Sequence, residues 1–195
     1  MGYTVILDSS NLDLSIGLSK EGVLIDYISY PAWQQQSEFM VKELDTLLNK
    51  YEVKKQDICD VIVSIGPGSY TGVRISLTIA KTIAFALNIP VYPVSALRVL
   101  KCGNSPSICL INARSNRSYI GVYQGNNIIV NDAIWTNEEV KNYINEHTEY
   151  IVCGDTKYLG LEGYKSNVLL EALRLKDSLA KAEDALLIKP VYLKD

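Results

Sequence analysis

Apolar and polar positions alternate through the first thirty residues. Tyr3–Asp8 is rich in β-formers, and Leu12, Leu14, Ile16 and Leu18 then interleave with Asp13, Ser15, Gly17 and Ser19, the two-residue period of a half-buried strand. Lys20, Glu21 and Gly22 form a turn signal before a third strand over 23–29, so an antiparallel meander is predicted. The period then changes. Met40, Leu44, Leu47, Leu48 and Tyr51 recur at three- and four-residue intervals and predict an amphipathic helix over 37–51, with Ser37 as its N-cap. Residues 61–65 are short, β-branched and bounded by Asp60 and Gly66, as expected of a strand buried on both faces. A helix over 71–87 follows. Asn88-Ile89-Pro90 ends it, because proline disfavours helical geometry in the residue before it, and Val91–Val94 reads as another short strand.

The series then starts again, with strands at 107–112, 119–124 and 128–131, a helix over 137–145 and a strand at 150–153. Thr136 and Glu139 have capping-box spacing, and Gly125-Asn126 is a tight-turn signal. A three-stranded meander followed by a helix and a parallel strand is the element order of the ribonuclease-H-like unit. Two in tandem give the α/β architecture shared by actin, Hsp70-type ATPase domains and sugar kinases. The expected organisation is an N-terminal unit over 1–98 and a smaller, shortened unit over 99–195. Beyond Gly154, 168–175 and 178–185 read as short helices and 189–195 as a closing tail with a packing role.

Composition narrows the function. The 195 residues, 48% apolar and 21% charged, suit folded globular domains with a proper core. With 22 acids against 19 bases the net charge is -3, without the footprint of a stand-alone nucleic-acid binder, so any RNA contact is expected to be shared with a more basic partner. Cys59, Cys102, Cys109 and Cys153 lack metal-ligand spacing, and His147 is the single histidine. The cysteines are read as buried small hydrophobes in a reducing compartment. Apolar runs such as 61–65 and 83–87 stop far short of the roughly 20 residues a membrane-spanning helix needs. The first ten residues carry no signal-peptide pattern, so a cytoplasmic protein is expected.

The sharpest local feature runs from Gly66 through Pro67, Gly68, Ser69, Tyr70, Thr71, Gly72, Val73 and Arg74 to Ile75, between a strand and a helix. Glycines there permit close backbone approach, and a helix N-terminus after a strand is a ready anion site. Neither phosphate fingerprint fits: Gly72 is followed by Val73-Arg74 and not by Lys-Ser/Thr, and Gly68 and Gly72 are one residue too far apart for the dinucleotide motif. A structural strand-to-helix turn and an anion contact through Asp8, Ser9, Gly66, Gly68, Ser69, Tyr70, Thr71, Gly72 and Arg74 both stay open.

This segment resembles the G-P-G-S-F/Y-T-G-L/V-R-I signature of the TsaB (YeaZ) family. The similarity continues through Ala80-Lys81, Pro90 and Val94-Ser95-Ala96-Leu97. Leu7-Asp8-Ser9-Ser10 resembles the family's L-D-T-S, Gln36-Ser37-Glu38 its H-S-E, Asn112-Ala113-Arg114 with Tyr119 its D-A-R and following tyrosine, Gly154-Asp155 its G-D turn, and Pro190 with Tyr192-Leu193-Lys194 its closing P-x-Y-L-R. Gln36, Asn112 and Lys194 depart from the family's usual histidine, aspartate and arginine, and the second half is short.

The resemblance implies a non-catalytic subunit for modification of tRNA adenosine with threonylcarbamoyl, partnered by a TsaD-type transferase and a TsaE-type ATPase. ATP, magnesium and metal would belong to those partners. Actin-like kinases hold magnesium with two carboxylates, and here Asp8 stands alone because the matching position is Asn112. TsaD holds its metal through an H-x-x-x-H pair, which one histidine cannot supply. His147 is also the only conceivable base for Ser69, in the other half. A rival reading, a stand-alone ATPase or small-molecule kinase, would use Asp8 and the loop.

What remains is a surface. Ten of the fifteen residues over 73–87 are apolar, with Arg74, Thr78, Lys81 and Thr82 on one narrow stripe. The expected partner interface is Phe39, Met40, Glu43, Leu44 and Leu47 on the first helix with Arg74, Ile75, Thr78, Ile79, Thr82, Ile83 and Ala86 on the second. The same faces would pair two copies of the chain when it is alone. Arg74 either orders the turn or meets an anionic group at that interface. Contact with tRNA would come only through the complex, and no membrane contact is expected.

Overall fold

The computed structural model describes residues 2–32 and 35–193. The first sheet has the order β3-β2-β1-β4-β5, built from β1 (Tyr3–Asp8), β2 (Asp13–Lys20), β3 (Val23–Pro31), β4 (Ile58–Ser64) and β5 (Val91–Val94). β1 to β3 form the antiparallel meander, and β4 and β5 add in parallel, with Leu7 beside Val63 and Val63 beside Pro93. The second sheet repeats the plan as β8-β7-β6-β9, from β6 (Ser107–Arg114), β7 (Arg117–Gln124), β8 (Asn127–Thr136) and β9 (Ile151–Gly154). These are two ribonuclease-H-like units, the second one strand shorter.

Alternation decides the layers. Val5, Leu7, Val61 and Val63 point to one face of the first sheet and pack beneath α1 (Gln36–Lys50) and α2 (Tyr70–Leu87). Ile6 and Ile62 point to the other face, which is covered by α4 (Val168–Leu175) through Leu169, Ala172 and Leu173. The segment that the sequence groups with the second unit therefore contributes its helix to the first sheet. Lys101 Nζ and Glu171 Oε2, 2.8 Å apart and both buried, tie the start of the second unit to α4. Lys176 Nζ does the same for β4 through Asp60 Oδ2 at 2.5 Å. In the second sheet Ile108, Leu110, Ile120 and Val122 pack with Val140 of α3 (Asn137–Glu146). The Thr136–Glu139 capping box of α3 is formed as the spacing predicts.

Two local expectations are corrected. Ser37 lies inside α1, whose N-cap position is Gln35 without a side-chain bond. Residues 178–185 form no helix: Ala182 N–H donates to Val91 O at 2.9 Å, which draws the chain along β5, and only short turns at Lys176–Ser178 and Ala185–Leu187 flank it. The tail then crosses the glycine loop, with Val191 N–H donating to Ile65 O at 2.7 Å. Lys194 lies outside the described residues.

Candidate functional site

The glycine loop is filled by its own chain. Ser69 caps α2 by accepting from Gly72 N–H at 3.2 Å, and its own N–H donates to Ser10 O at 2.7 Å. A Cβ on Gly68 would stand 2.1 Å from Ser10 O, one on Gly72 1.9 Å from Ser9 O, and one on Gly66 2.7 Å from Val191 O. Ser9 Oγ donates to Gly72 O at 2.7 Å, and Val73 N–H to Ser69 O at 2.9 Å. The glycines thus let three stretches of backbone touch, and the amides of Ser69, Gly72 and Val73 are spent inside the chain. The loop forms a strand-to-helix joint in which the polar groups of Ser9, Ser69 and Gly72 are already engaged.

Asp8 ends β1 beneath the loop at 7% exposure, accepting at Oδ1 from Ser10 Oγ at 2.7 Å and from Ser10 N–H at 3.3 Å. Burial pushes its carboxyl above the usual range, and hydrogen bonds from Ser10 and Ser64 offset that only in part. Of the remaining loop residues, Tyr70, Thr71 and Arg74 are exposed. The Arg74 guanidinium bonds the Tyr70 hydroxyl and lies 5.1 Å from that ring's centroid, while Tyr70 stacks on Tyr192 at 5.1 Å. Arg74 therefore braces the tail against the start of α2.

Between the units lies a cleft of about 600 Å³. Asn11, Leu12, Gln36, Ser37, Ser69, Tyr70, Thr71 and Ile75 line it from the first unit, and Ile111, Asn112, Arg114, Tyr119 and Asp155 from the second. Asn112 stands at the end of β6, where its side-chain oxygen accepts from Arg114 N–H at 2.8 Å. Arg114, Ser115 and Asn116 turn the chain with three successive left-handed residues, φ 64, 49 and 58. Desolvation raises the Asp155 carboxyl, and Lys157 draws it back in part.

The helix pair divides the expected interface. Met40, Leu44 and Leu47 are buried in the core of this chain and face no partner, which corrects their assignment. Phe39, Ile75, Ile79 and Ile83 are half-buried against that core, and Glu43 accepts from Tyr30 Oη at 2.9 Å. Thr78, Thr82 and Ala86 are exposed beside Arg74. The largest apolar exposure on α2 was not in the expected set: Phe85 is 73% exposed. It follows Thr78 and Thr82 along the stripe read as polar, and an aromatic breaking a polar stripe was the available signal. Val41 on α1 and Leu186 and Leu187 beside α2 are also exposed, and Lys81 Nζ holds that turn through Leu186 O at 2.9 Å.

His147 caps α3, stacked on Tyr143 at 4.0 Å. Among the described residues no three His, Cys, Asp or Glu side chains gather in a metal-holding group. Cys109 and Cys153 are buried side by side across β6 and β9, Cys102 is half-buried, and Cys59 is exposed, against the expectation that all four pack inside. No helix among the described residues is long and apolar enough to cross a membrane.

Two such units facing one cleft, with the Asp8 carboxyl buried beneath a loop filled by its own chain, have the two-unit fold of the actin, Hsp70 and sugar-kinase architecture. Residues 31–150 match the family model described as TsaD, tRNA N6-adenosine threonylcarbamoyltransferase. The chain is 37% identical over 133 residues to the tRNA threonylcarbamoyladenosine biosynthesis protein TsaB of Bacillus subtilis, covering 66% of this chain and 58% of that one. The chain belongs to this threonylcarbamoyltransferase family, on its TsaB (YeaZ) branch. An uncharacterised Mycoplasma genitalium protein, MG208, is 28% identical over 99% of this chain and 95% of its own. YeaZ from Pseudomonas aeruginosa shares the fold at a TM-score of 0.83, with 22% identity over 99% of this chain and 100% of that one.

Proposed function

We propose that this chain is a non-catalytic organising subunit in the biosynthesis of threonylcarbamoyladenosine on tRNA. It acts in the cytoplasm by docking on a TsaD-type transferase through the outward face of α2, with a TsaE-type ATPase in the same assembly. The observation that carries the reading is Phe85, an aromatic 73% exposed on a helix whose large aliphatic residues pack against the core. The name of the Bacillus relative supplies the pathway. A specific interface buries about 1,200–2,000 Å² in total, and the exposed Val41 of α1 and the Leu186-Leu187 turn would extend the α2 face toward it. Alone, the chain pairs with a second copy through the same face. ATP, magnesium and metal belong to the partners, and tRNA is met through the complex, in keeping with the net charge of -3. The rival ATPase or kinase reading is disfavoured by the buried Asp8 and the loop whose amides are already used.

The test is gel filtration with light scattering of the chain mixed with a TsaD-type subunit, comparing Phe85→Asp with the native protein. Phe85 lies outside the core, so the variant keeps its fold. Truncating an aromatic anchor costs on the order of 2 kcal/mol or more, a roughly thirtyfold weaker complex, and a charge there costs further. Co-elution that survives the change defeats the proposal. Ile79→Asp and Ile83→Asp should also abolish assembly, although both side chains support the core as well.

A further inference from the structure

The tail holds two leucines open to solvent beside α2, and its own bonds fix them there. In the turn Ala185–Leu187 the Asp184 side chain accepts from Leu186 N–H at 2.8 Å, and Leu187 N–H donates to Asp184 O at 3.2 Å. A turn of this kind repeats every three residues, so positions 185 and 188 share one side. Ala185 and Ile188 pack against the core cluster that includes Leu77, Ala80 and Ala84 of α2, which leaves Leu186 and Leu187 outward at 52% and 72% exposure. Both flanks are tied down, by Ala182 N–H on Val91 O at 2.9 Å and by Val191 N–H on Ile65 O at 2.7 Å. Lys81 Nζ bonds Leu186 O at 2.9 Å, and Phe85 stands one helical turn beyond Lys81 on the same side of α2. The turn and Phe85 therefore share one flank of the helix. A lone exposed leucine needs no explanation, but two held open beside an exposed aromatic do.

We infer that the Leu186-Leu187 turn is a second anchor for the partner that docks on α2, which makes the tail part of the interface. The inference rests on the docking reading above and commits to the same occupant, the TsaD-type transferase subunit. Area argues for it. The 18 residues of α2 make about 27 Å of helix roughly 10 Å wide, or roughly 270 Å² of frontage, against the about 800 Å² per partner that a specific interface buries. Even doubled for the relief of its side chains, that frontage falls short, so the flanks of α2 must contribute. On the side from which Phe85 projects, the flank is this turn. The turn is also already ordered by its cap, by Lys81 and by the two bonds on either side, so little conformational entropy is lost when a partner covers it.

The test is titration calorimetry of the native, Phe85→Asp and Leu187→Asp chains against a TsaD-type subunit, with hydrogen exchange of the native complex and light scattering of each chain alone. Leu187 is 72% exposed, so its variant keeps the fold, which circular dichroism checks. Leu187→Asp should weaken the complex at least about tenfold, as Phe85→Asp does, and the amides of residues 184–188 should exchange more slowly in the native complex. Binding unchanged in Leu187→Asp but weakened in Phe85→Asp overturns the second anchor and leaves the docking reading standing. Binding unchanged in both defeats the docking reading and the anchor with it. Weakening without protection of residues 184–188 marks an indirect effect and overturns the anchor. So does a loss of self-pairing with transferase binding intact, which would assign the turn to a contact between copies.

Discussion

Substituting Gly72 by alanine tests whether the loop is a chain-to-chain joint. The new Cβ would stand 1.9 Å from Ser9 O, against an ordinary contact of at least 3.4 Å, so backbone and helix must part by about 1.5 Å. Overpacking of this kind costs roughly 1–3 kcal/mol. The shift also breaks the Ser69–Ser10 and Ser9–Gly72 bonds, each worth about 1 kcal/mol net, while alanine regains about 1 kcal/mol of helix propensity. A loss of about 2–4 kcal/mol follows, or roughly 4–16 °C in Tm for a chain of this size. Urea unfolding followed by circular dichroism measures it. Gly22→Ala is the control, because nothing lies within 4 Å of its Cβ and only the left-handed backbone, about 1 kcal/mol, is at stake. A Gly72→Ala protein as stable as the native one, but deprived of a nucleotide affinity the native chain possesses, would refute the joint and restore the anion reading.

Other consequences are separable. Lys101→Met strands the buried Glu171 carboxylate, although Arg174 Nη1 also reaches its other oxygen at 2.5 Å, so a loss of about 3 kcal/mol is expected in urea unfolding. Thr136→Ala removes one half of the α3 capping box and should cost about 1 kcal/mol, read from the thermal midpoint. Asp8 has a folded-state pKa above its unfolded value, so its contribution is fully present below the unfolded pKa and is lost as pH rises through the folded one. Asp8→Asn should therefore be more stable than the native chain at neutral pH, with the gap closing on acidification, and a deficit at neutral pH would contradict this.

The period of the apolar positions made both sheets and all four longer helices legible, because each strand buries one or two defined faces. The limits of β8 were not. The sequence suggested 128–131, but the strand runs over Asn127–Thr136, held by Asp132 accepting from Ser95 Oγ at 2.6 Å and from Tyr123 Oη. Those partners lie far away in sequence, and no local pattern announces a polar residue paid for by tertiary bonds. The same reason hid the course of the tail, which is fixed by Val91 and Ile65 and not by its own propensity. At the site, the glycines were visible but their neighbours were not. Met40, Leu44 and Leu47 were correctly read as an apolar stripe, yet periodicity cannot say whether the chain itself or a partner covers it.

The fate of Asp8 supports the organising role proposed above. A carboxylate that holds magnesium must stay charged and face the cleft with lone pairs free. Here Ser10 covers Oδ1, burial favours the neutral acid, and the backbone of Ser9 and Ser10 presses against the loop where phosphate oxygens would have to lie. Each feature that weakens a nucleotide site stiffens the junction of β1, the loop and α2. That junction, clamped from outside by Val191 and Tyr192, fixes the orientation of α2 relative to the first sheet. A docking helix benefits from such rigidity because less conformational entropy is lost when a partner binds. In this chain, the contacts that close the loop are thus the same ones that fix α2, and Phe85 with it, against the first sheet.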